Sequence, residues 1–337
     1  MIKTFFDKID KKFVTIFNKK VLSSASIVIS SHKSPDDDSI SSVLSIHKYL
    51  TDYLNIAKDK IKIIYTGDRT SKWKYFPRYK EVHFVEDIFD NLNDEATLII
   101  VDGSSWDRFS RKSQTDGFDG YTICIDHHPH LKNKHNLHIV DPERTSVAEM
   151  IYKLFYANRR LDKEICELLM LGILGDTGNF RFLSPQNADV FTIAGRLTSE
   201  GGLNIDSFLN SYQKINEETY SCLINLMRNS EIRDVKGWPK FLTAFVSRKD
   251  MEAEGLDDNS IGEASQIFTT YLRSLDGVDW GFVVTPRSHD NTNTVSFRSS
   301  PGSVCVRKIA EDMKIGGGHD RAAGGKIMVS DANEATK

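Results

Sequence analysis

Four short stretches of this chain gather the residue types that hold divalent cations. They are His32-Lys33-Ser34-Pro35-Asp36-Asp37-Asp38, then Asp102, then Asp126-His127-His128, and finally Asp176 within Gly175-Asp176-Thr177-Gly178. Several carboxylates in one cleft repel and raise one another's pKa unless cations stand between them. Mixed aspartate and histidine donors suit Mn²⁺ or a similar divalent ion better than an all-thiolate zinc site. Two such ions, about 3.5–4 Å apart, can activate water and clamp a phosphoryl group for in-line displacement. One aspartate is then expected to bridge both ions, and Asp102 is the candidate. Taken singly, each stretch also has a plainer reading. Asp36 or Asp38 could cap a helix, Asp-His-His could be a surface turn, and Asp176 could belong to a tight turn.

The elements that carry these stretches favour the joint reading. Ile27-Val28-Ile29, Ile61 to Tyr65, Leu98 to Val101 and Ile123 to Ile125 read as strands. Between the first two, Ile40, Val43, Leu44, Ile46, His47 and Leu50 trace one helix face. Apolar strands alternating with helices predict an α/β fold whose parallel sheet is covered by helices on both sides. In such sheets, ligands bind just past the carboxyl ends of the strands. The first three stretches follow strands directly, so the sheet would bring them together. Further helices are expected over 147–158, 162–174 and 187–200.

A second candidate site lies near the C-terminus. Gly316, Gly317 and Gly318 would let backbone approach an anion closely and form a concave nest for phosphate, with His319 directly after them. A helix cap followed by a tight turn is the plainer reading. Arg298, on a preceding strand, could grip a phosphate in bidentate fashion or stack on a base. Strands near 241–247, 279–285 and 294–298, with helices near 261–275 and 303–314, describe a smaller α/β unit. The expected division is a first domain over 1–200, a linker over 201–235 and a second domain over 236–337.

Composition narrows the partners. The net charge of −3 among 337 residues gives no basic field for long nucleic acid, so an anionic substrate must be gripped locally. Cys124, Cys166, Cys222 and Cys305 form no CxxC pair, which argues against a zinc ribbon and fits a reducing compartment such as the cytoplasm. At the N-terminus, Phe6, Ile9, Phe13, Ile16 and Phe17 recur at helical spacing. This predicts an amphipathic helix packed on the body, with a membrane-surface anchor as the minor alternative and a dimer contact as a question for truncation. No apolar run is long enough for a spanning helix.

His32-x-x-Pro35-Asp36-x-Asp38, Asp102, Asp126-His127-His128 and Asp176 together resemble motifs I to IV of the DHH phosphoesterases. Thr145 to Glu149 and Gly175 to Phe180 are also of that family's type. Gly316 to Gly325 is similar to the signature of the DHHA1 domain, and Ser296 to Ser300 to that domain's substrate-binding strand end. The resemblance implies one metal held by His32, Asp36 and Asp102, and a second held by Asp38, Asp102, His127 and Asp176. It implies that His128 faces the scissile phosphate, that Asp126 orients a histidine, and that Arg298, the glycine run and His319 hold the far end of the substrate. Short DHH–DHHA1 proteins cleave very short oligoribonucleotides and dephosphorylate 3′-phosphoadenosine 5′-phosphate. That is the expected activity here, with two divalent ions, Mn²⁺ first and Mg²⁺ or Co²⁺ as alternatives. Exopolyphosphatase or linear-dinucleotide phosphodiesterase activity is the alternative within the class, and a non-catalytic nucleotide-binding module the alternative outside it. Ser41 stands where relatives often carry glycine, which questions the packing of the first helix.

Overall fold

A computed structural model describes residues 8–67, 69, 72–74, 76–112, 118–129, 133–212, 214–288 and 292–328. The chain divides into two compact units, 1–213 and 214–337.

In the first unit, α1 (Lys8–Ser23) leads into β1 (Ser26–Ser30) and α2 (Asp37–Lys48). Strands β2 (Ile61–Thr66), β3 (Val82–Val85) and β4 (Ala96–Val101) follow. The short α3 (Trp106–Phe109) precedes β5 (Tyr121–Asp126) and β6 (Leu137–Val140). The unit closes with α4 (Val147–Ile151), α5 (Lys163–Thr177), α6 (Asp189–Gly201) and α7 (Ile205–Tyr212). All six strands pair in parallel, in the order β3-β2-β1-β4-β5-β6. Strand order therefore reverses between β1 and β4, the crevice at which such sheets receive ligands.

Both faces are sealed, as the apolar strands demand. Ile27, Ile29, Ile99, Val101, Ile123 and Ile125 join a large core under α1, α2, α4, α5 and α6. Val28, Ile64, Leu98 and Ile100 pack on Trp106 and Phe109 on the other face. Phe13, Phe17 and Val21 of α1 are buried in that large core, with the Phe17 ring 4.9 Å from Phe155. Phe13 and Phe17 of the expected apolar face are thus spent on their own unit, while the side chain of Ile9 lies outside the described ones. Phe6, which the sequence also assigned to that face, lies outside the described residues.

The closest helix contact answers the doubt about Ser41. Ser41 is buried and donates from Oγ to the Leu168 carbonyl (2.5 Å). Across from it stands Gly172 of α5, where an added Cβ would come within 2.8 Å of Ala148 Cβ, Ser41 Oγ and Asp38 Oδ1. The glycine that lets the helices approach is on α5 instead of α2.

In the second unit, α8 (Glu217–Arg228) precedes β7 (Glu231–Arg233), β8 (Phe241–Phe245), α9 (Arg248–Glu254) and α10 (Asp258–Phe268). Strands β9 (Trp280–Pro286) and β10 (Asn293–Ser299), α11 (Val306–Asp312), β11 (Gly316–His319) and β12 (Ala322–Ile327) complete it. The sheet order is β11-β12-β10-β9-β8-β7, antiparallel except for the β8–β9 pair.

Two expectations change. Residues 201–235, expected as a linker, include two helices: Phe208 and Tyr212 of α7 belong to the first core, Cys222 and Leu226 of α8 to the second. The division falls at 213/214 because burial of those side chains assigns each helix to one unit. The glycine run is neither a nest nor a cap but the edge strand β11. A Cβ at Gly316 would lie 2.0 Å from the Gly324 carbonyl, and one at Gly318 2.6 Å from that of Ala322. Close strand crossing therefore requires glycine at those positions, whereas Gly317 has open space beside it.

Candidate metal centre and anion row

The three central strands deliver the ligands. His32 follows β1, Asp102 follows β4, and Asp126, His127 and His128 end β5. Asp102 takes a left-handed backbone (φ 57°), which turns its buried carboxylate into the crevice. His32 Nε2 lies 3.2 Å from Asp102 Oδ2 and 3.5 Å from Asp36 Oδ2. His127 Nε2 lies 3.5 Å from Asp102 Oδ1 and 3.2 Å from Asp176 Oδ2. Three donor groups result: His32 with Asp36 and Asp102; Asp38 with His127 and Asp176; and Asp102 with His127 and His128. Asp102 and His127 each belong to two groups, so the clusters form one continuous centre.

The surrounding contacts aim these donors. Asp36 is the N-cap of α2, its Oδ1 accepting from Ser39 N (2.9 Å), so one oxygen caps while the other faces His32. The cap reading and the ligand reading are both satisfied by one carboxylate. Asp38 accepts from the backbone N–H groups of Val147 (2.6 Å) and Ala148 (2.8 Å) at the start of α4. The Thr145–Glu149 segment is itself fixed: Ser146 caps α4, and Glu149 accepts from the Thr145 backbone and hydroxyl. Asp37 takes no part in the centre. It accepts from Trp73 Nε1 (2.7 Å), pairs with Lys72 (2.9 Å) and packs where an added Cβ on Gly175 would come within 2.6 Å.

The charges are arranged for a cation. Burial opposes protonation of His32, but Asp36 and Asp102 outweigh it and lift its pKa to about 10. His127 reaches about 10 in the same way, with burial overcome by Asp102 and Asp176. Burial, followed by the charge of Asp102, pushes Asp38 well above the usual carboxylate range. Burial, followed by Asp38, Asp36 and Asp102, does the same to Asp176. Asp102 alone is held well below that range, because hydrogen bonds from His127 and His32 exceed its burial penalty. Protons thus sit where positive charge is needed. Asp102 Oδ1 is buried with only the long 3.5 Å approach of His127 Nε2 to satisfy it, which suits an oxygen that would ligate a cation. Nitrogen and oxygen donors without thiolate suit a borderline or hard divalent ion.

His128 joins this cluster through Asp102, its Nδ1 lying 3.7 Å from Asp102 Oδ1, but its nearest partners are different. Its backbone N–H and Nδ1 lie 3.1 and 2.8 Å from Asp126 Oδ1, and its Nε2 lies 3.2 Å from Arg108 Nη1. A guanidinium only donates, so Nε2 must accept and the ring proton must sit on Nδ1, donated to Asp126. Sequence reasoning missed Arg108, since a lone arginine six residues after Asp102 carries no signal. It also missed the Arg144 carbonyl, 3.3 Å from His127 Nδ1, which aims the opposite nitrogen at the carboxylates.

The remaining candidates lie in the second unit. His319 pairs with Ala322, Ala322 with Arg298, and Arg298 with Gly281. Residues paired directly across a sheet share a face, so Arg298 and His319 stand in one row with only an alanine between them. The parallel row Gly317, Gly324, Ser296 is barer still. Burial, then the neighbouring charge of Arg273, lowers the Arg298 pKa. An anion on this row would relieve that repulsion.

Comparison with known proteins agrees with this architecture. Residues 26–173, within the first unit, match the model of the DHH family, N-terminal domain. Over nearly the whole chain the protein is similar to the probable bifunctional oligoribonuclease and PAP phosphatase NrnA of Streptococcus mutans. The two are 26% identical over 324 residues, covering 94% of each chain. The bifunctional oligoribonuclease and PAP phosphatase NrnA of Bacillus subtilis is 28% identical over 309 residues, 89% of each. Among solved structures, an exopolyphosphatase-related protein from Bacteroides fragilis shares the fold. Its TM-score is 0.80 at 22% identity, covering 95% of this chain and 92% of that one.

Proposed function

We propose that this protein is a metal-dependent phosphoesterase that hydrolyses short oligoribonucleotides and 3′-phosphoadenosine 5′-phosphate to mononucleotides. The observation that carries the reading is the continuous donor centre that Asp102 links across β1, β4 and β5. The similarity to the two NrnA proteins supports the substrate class. His32, Asp36 and Asp102 would hold one divalent ion, and Asp38, Asp102, His127 and Asp176 the other, Mn²⁺ being the proposed metal. Such a pair supplies Lewis acidity toward a phosphoryl group and lowers the pKa of water.

The chain's own residues do the positioning. Asp126 keeps the His128 proton on Nδ1, leaving Nε2 as an acceptor beside Arg108. Arg108 offers guanidinium donors to a phosphoryl oxygen next to His128. Arg298 and His319 are proposed to hold the end of the substrate remote from the bond that breaks. The four cysteines, all free thiols, support a reducing compartment such as the cytoplasm. No helix among the described residues is long and apolar enough to cross a membrane.

The experiment is a substrate panel with purified protein and Mn²⁺: a diribonucleotide, 3′-phosphoadenosine 5′-phosphate, pApA and polyphosphate. The first two should turn over fastest, and Asp102→Ala should abolish turnover of every member. Turnover of polyphosphate alone would replace this substrate assignment. Turnover retained in Asp102→Ala would remove the metal centre from the mechanism.

A further inference from the structure

Arg108 reaches His128 from a scaffold that cannot hold itself. The helix that carries it, α3, has four residues, too few to sustain a turn alone. Its backbone depends on contacts from outside, and Lys33 supplies three of them. The Lys33 backbone N–H donates to the Arg108 carbonyl (2.8 Å). The Lys33 ammonium donates to the carbonyls of Asp107 (2.9 Å) and Ser110 (3.0 Å), one on either side of Arg108. Carbonyls at the end of a helix lack partners within it and carry partial negative charge, so an ammonium suits them. Farther along, buried Asp87 accepts through Oδ2 from Ser110 Oγ (2.6 Å) and Arg111 N (2.7 Å). Asp87 thus fixes where the segment leaves, while Lys33 fixes Arg108 itself.

Lys33 is also tied to the donor centre. It directly follows His32, whose Nε2 lies 3.2 Å from Asp102 Oδ2. Arg108 in turn lies across Gly103, the residue after Asp102, where an added Cβ would come 3.7 Å from Arg108 Cδ and Cζ. Its Nη1 stands 3.2 Å from His128 Nε2. A single residue therefore connects a metal-ligand candidate to the guanidinium beside His128. An exposed lysine is ordinarily a solvated charge. This one is exposed along its stem, yet its ammonium ends on two backbone carbonyls that bracket Arg108.

We propose that Lys33 is a positioning residue that sets where the Arg108 guanidinium stands relative to His128 and the donor centre. The proposal rests on the phosphoesterase reading, in which Arg108 meets a phosphoryl oxygen, and adds how that donor is kept in register with His32. Lys33 touches no reacting atom and acts through Arg108. A misplacement of about 1 Å at a reacting centre can cost about 100-fold in rate, so loss of the ammonium contacts should be visible in kcat.

The test is a double-substitution cycle on Mn²⁺-loaded full-length protein, with a diribonucleotide as substrate. Lys33→Met keeps the backbone N–H and the length of the stem but removes the ammonium. It should lower kcat by about 10- to 100-fold. In an Arg108→Met background the same change should cost less than about twofold, because the group it positions is already gone. Equal loss in both backgrounds would show that Lys33 supports the fold or acts through another group, and would overturn the proposal. Wild-type kcat in Lys33→Met would overturn it as well. A second readout needs no turnover: the ¹⁵N resonance of His128 Nε2 in metal-free, histidine-labelled protein. Arg108→Met removes the donor to that nitrogen and should move the resonance, and Lys33→Met should move it in the same direction. A resonance that Lys33→Met leaves in place would overturn the proposal. The two failures stay distinguishable, since a wild type that hydrolyses no phosphate ester would sink the phosphoesterase reading, while the resonance still decides whether Lys33 places Arg108.

Discussion

At the ends of β1, β4 and β5 the first unit crowds three imidazoles and five carboxylates into a crevice. On the sheet of the second unit, the row Gly317, Gly324, Ser296 is almost bare of side chains, and the neighbouring row carries only His319, Ala322 and Arg298 before Gly281. The first arrangement needs positive charge from outside, since its protons are held only by mutual repulsion and pairing. The second offers positive charge outward, with Arg298 beside Arg273. On the proposed function, the first region binds cations and the second receives an anion. Substitutions in the first unit should then act on kcat and those at Arg298 and His319 on KM.

Substitutions can break that division. Asp126→Asn keeps the shape of the side chain but removes the charge that holds the His128 proton on Nδ1. It should lower kcat by about 10- to 100-fold at unchanged metal content, read by steady-state kinetics and metal analysis. Arg298→Met should raise KM by about 10- to 100-fold and leave kcat near wild type, because a charged hydrogen bond to substrate is lost without touching the metal ligands. An Arg298→Met variant with intact KM and depressed kcat would reverse the assignment of the two units.

A smaller effect tests the glycine strand. Gly316→Ala forces a Cβ onto the Gly324 carbonyl and should cost about 1–3 kcal/mol of stability. Gly317→Ala has open space and should change stability by less than about 0.5 kcal/mol, both read from denaturant melts. If Gly317→Ala keeps stability but weakens nucleotide binding, the bare row is a contact surface as well as a strand.

A pH slope tests the protonation of the centre. His32 and His127 have pKa values raised to about 10 in the metal-free fold, above the ordinary value near 6.5. Their stabilisation of that fold is fully present below about pH 6.5 and is lost as pH rises through about 10. Chelated protein should therefore melt at progressively lower temperature across that window. Because metal displaces those protons, Mn²⁺ affinity should rise with pH, and calorimetry in buffers of different ionisation enthalpy should register proton release.

The centre was legible in the sequence because buried parallel strands read as unbroken apolar runs and its ligands follow them directly. Strands β3 and β6 were not foreseen: they flank the sheet, and Val82–Val85 and Leu137–Val140 each include an exposed histidine. Helices α7 and α8 read as a linker in the sequence because each buries only a narrow stripe, such as Phe208 and Tyr212 of α7. The glycine run misled because glycine disfavours strands, and only the approach of β12 explains it. Arg108 and the amides of Val147 and Ala148 could not be read, for they act through contacts made by the fold.

The central claim is that Asp102 joins two cation sites into one centre. The most direct measurement is the number of Mn²⁺ ions bound per chain, by native mass spectrometry, in wild type and Asp102→Asn. The account predicts two ions in the wild type, and in the variant a loss of the pair with the fold intact by circular dichroism. Two ions retained in Asp102→Asn, or a wild type that never binds more than one, would contradict it.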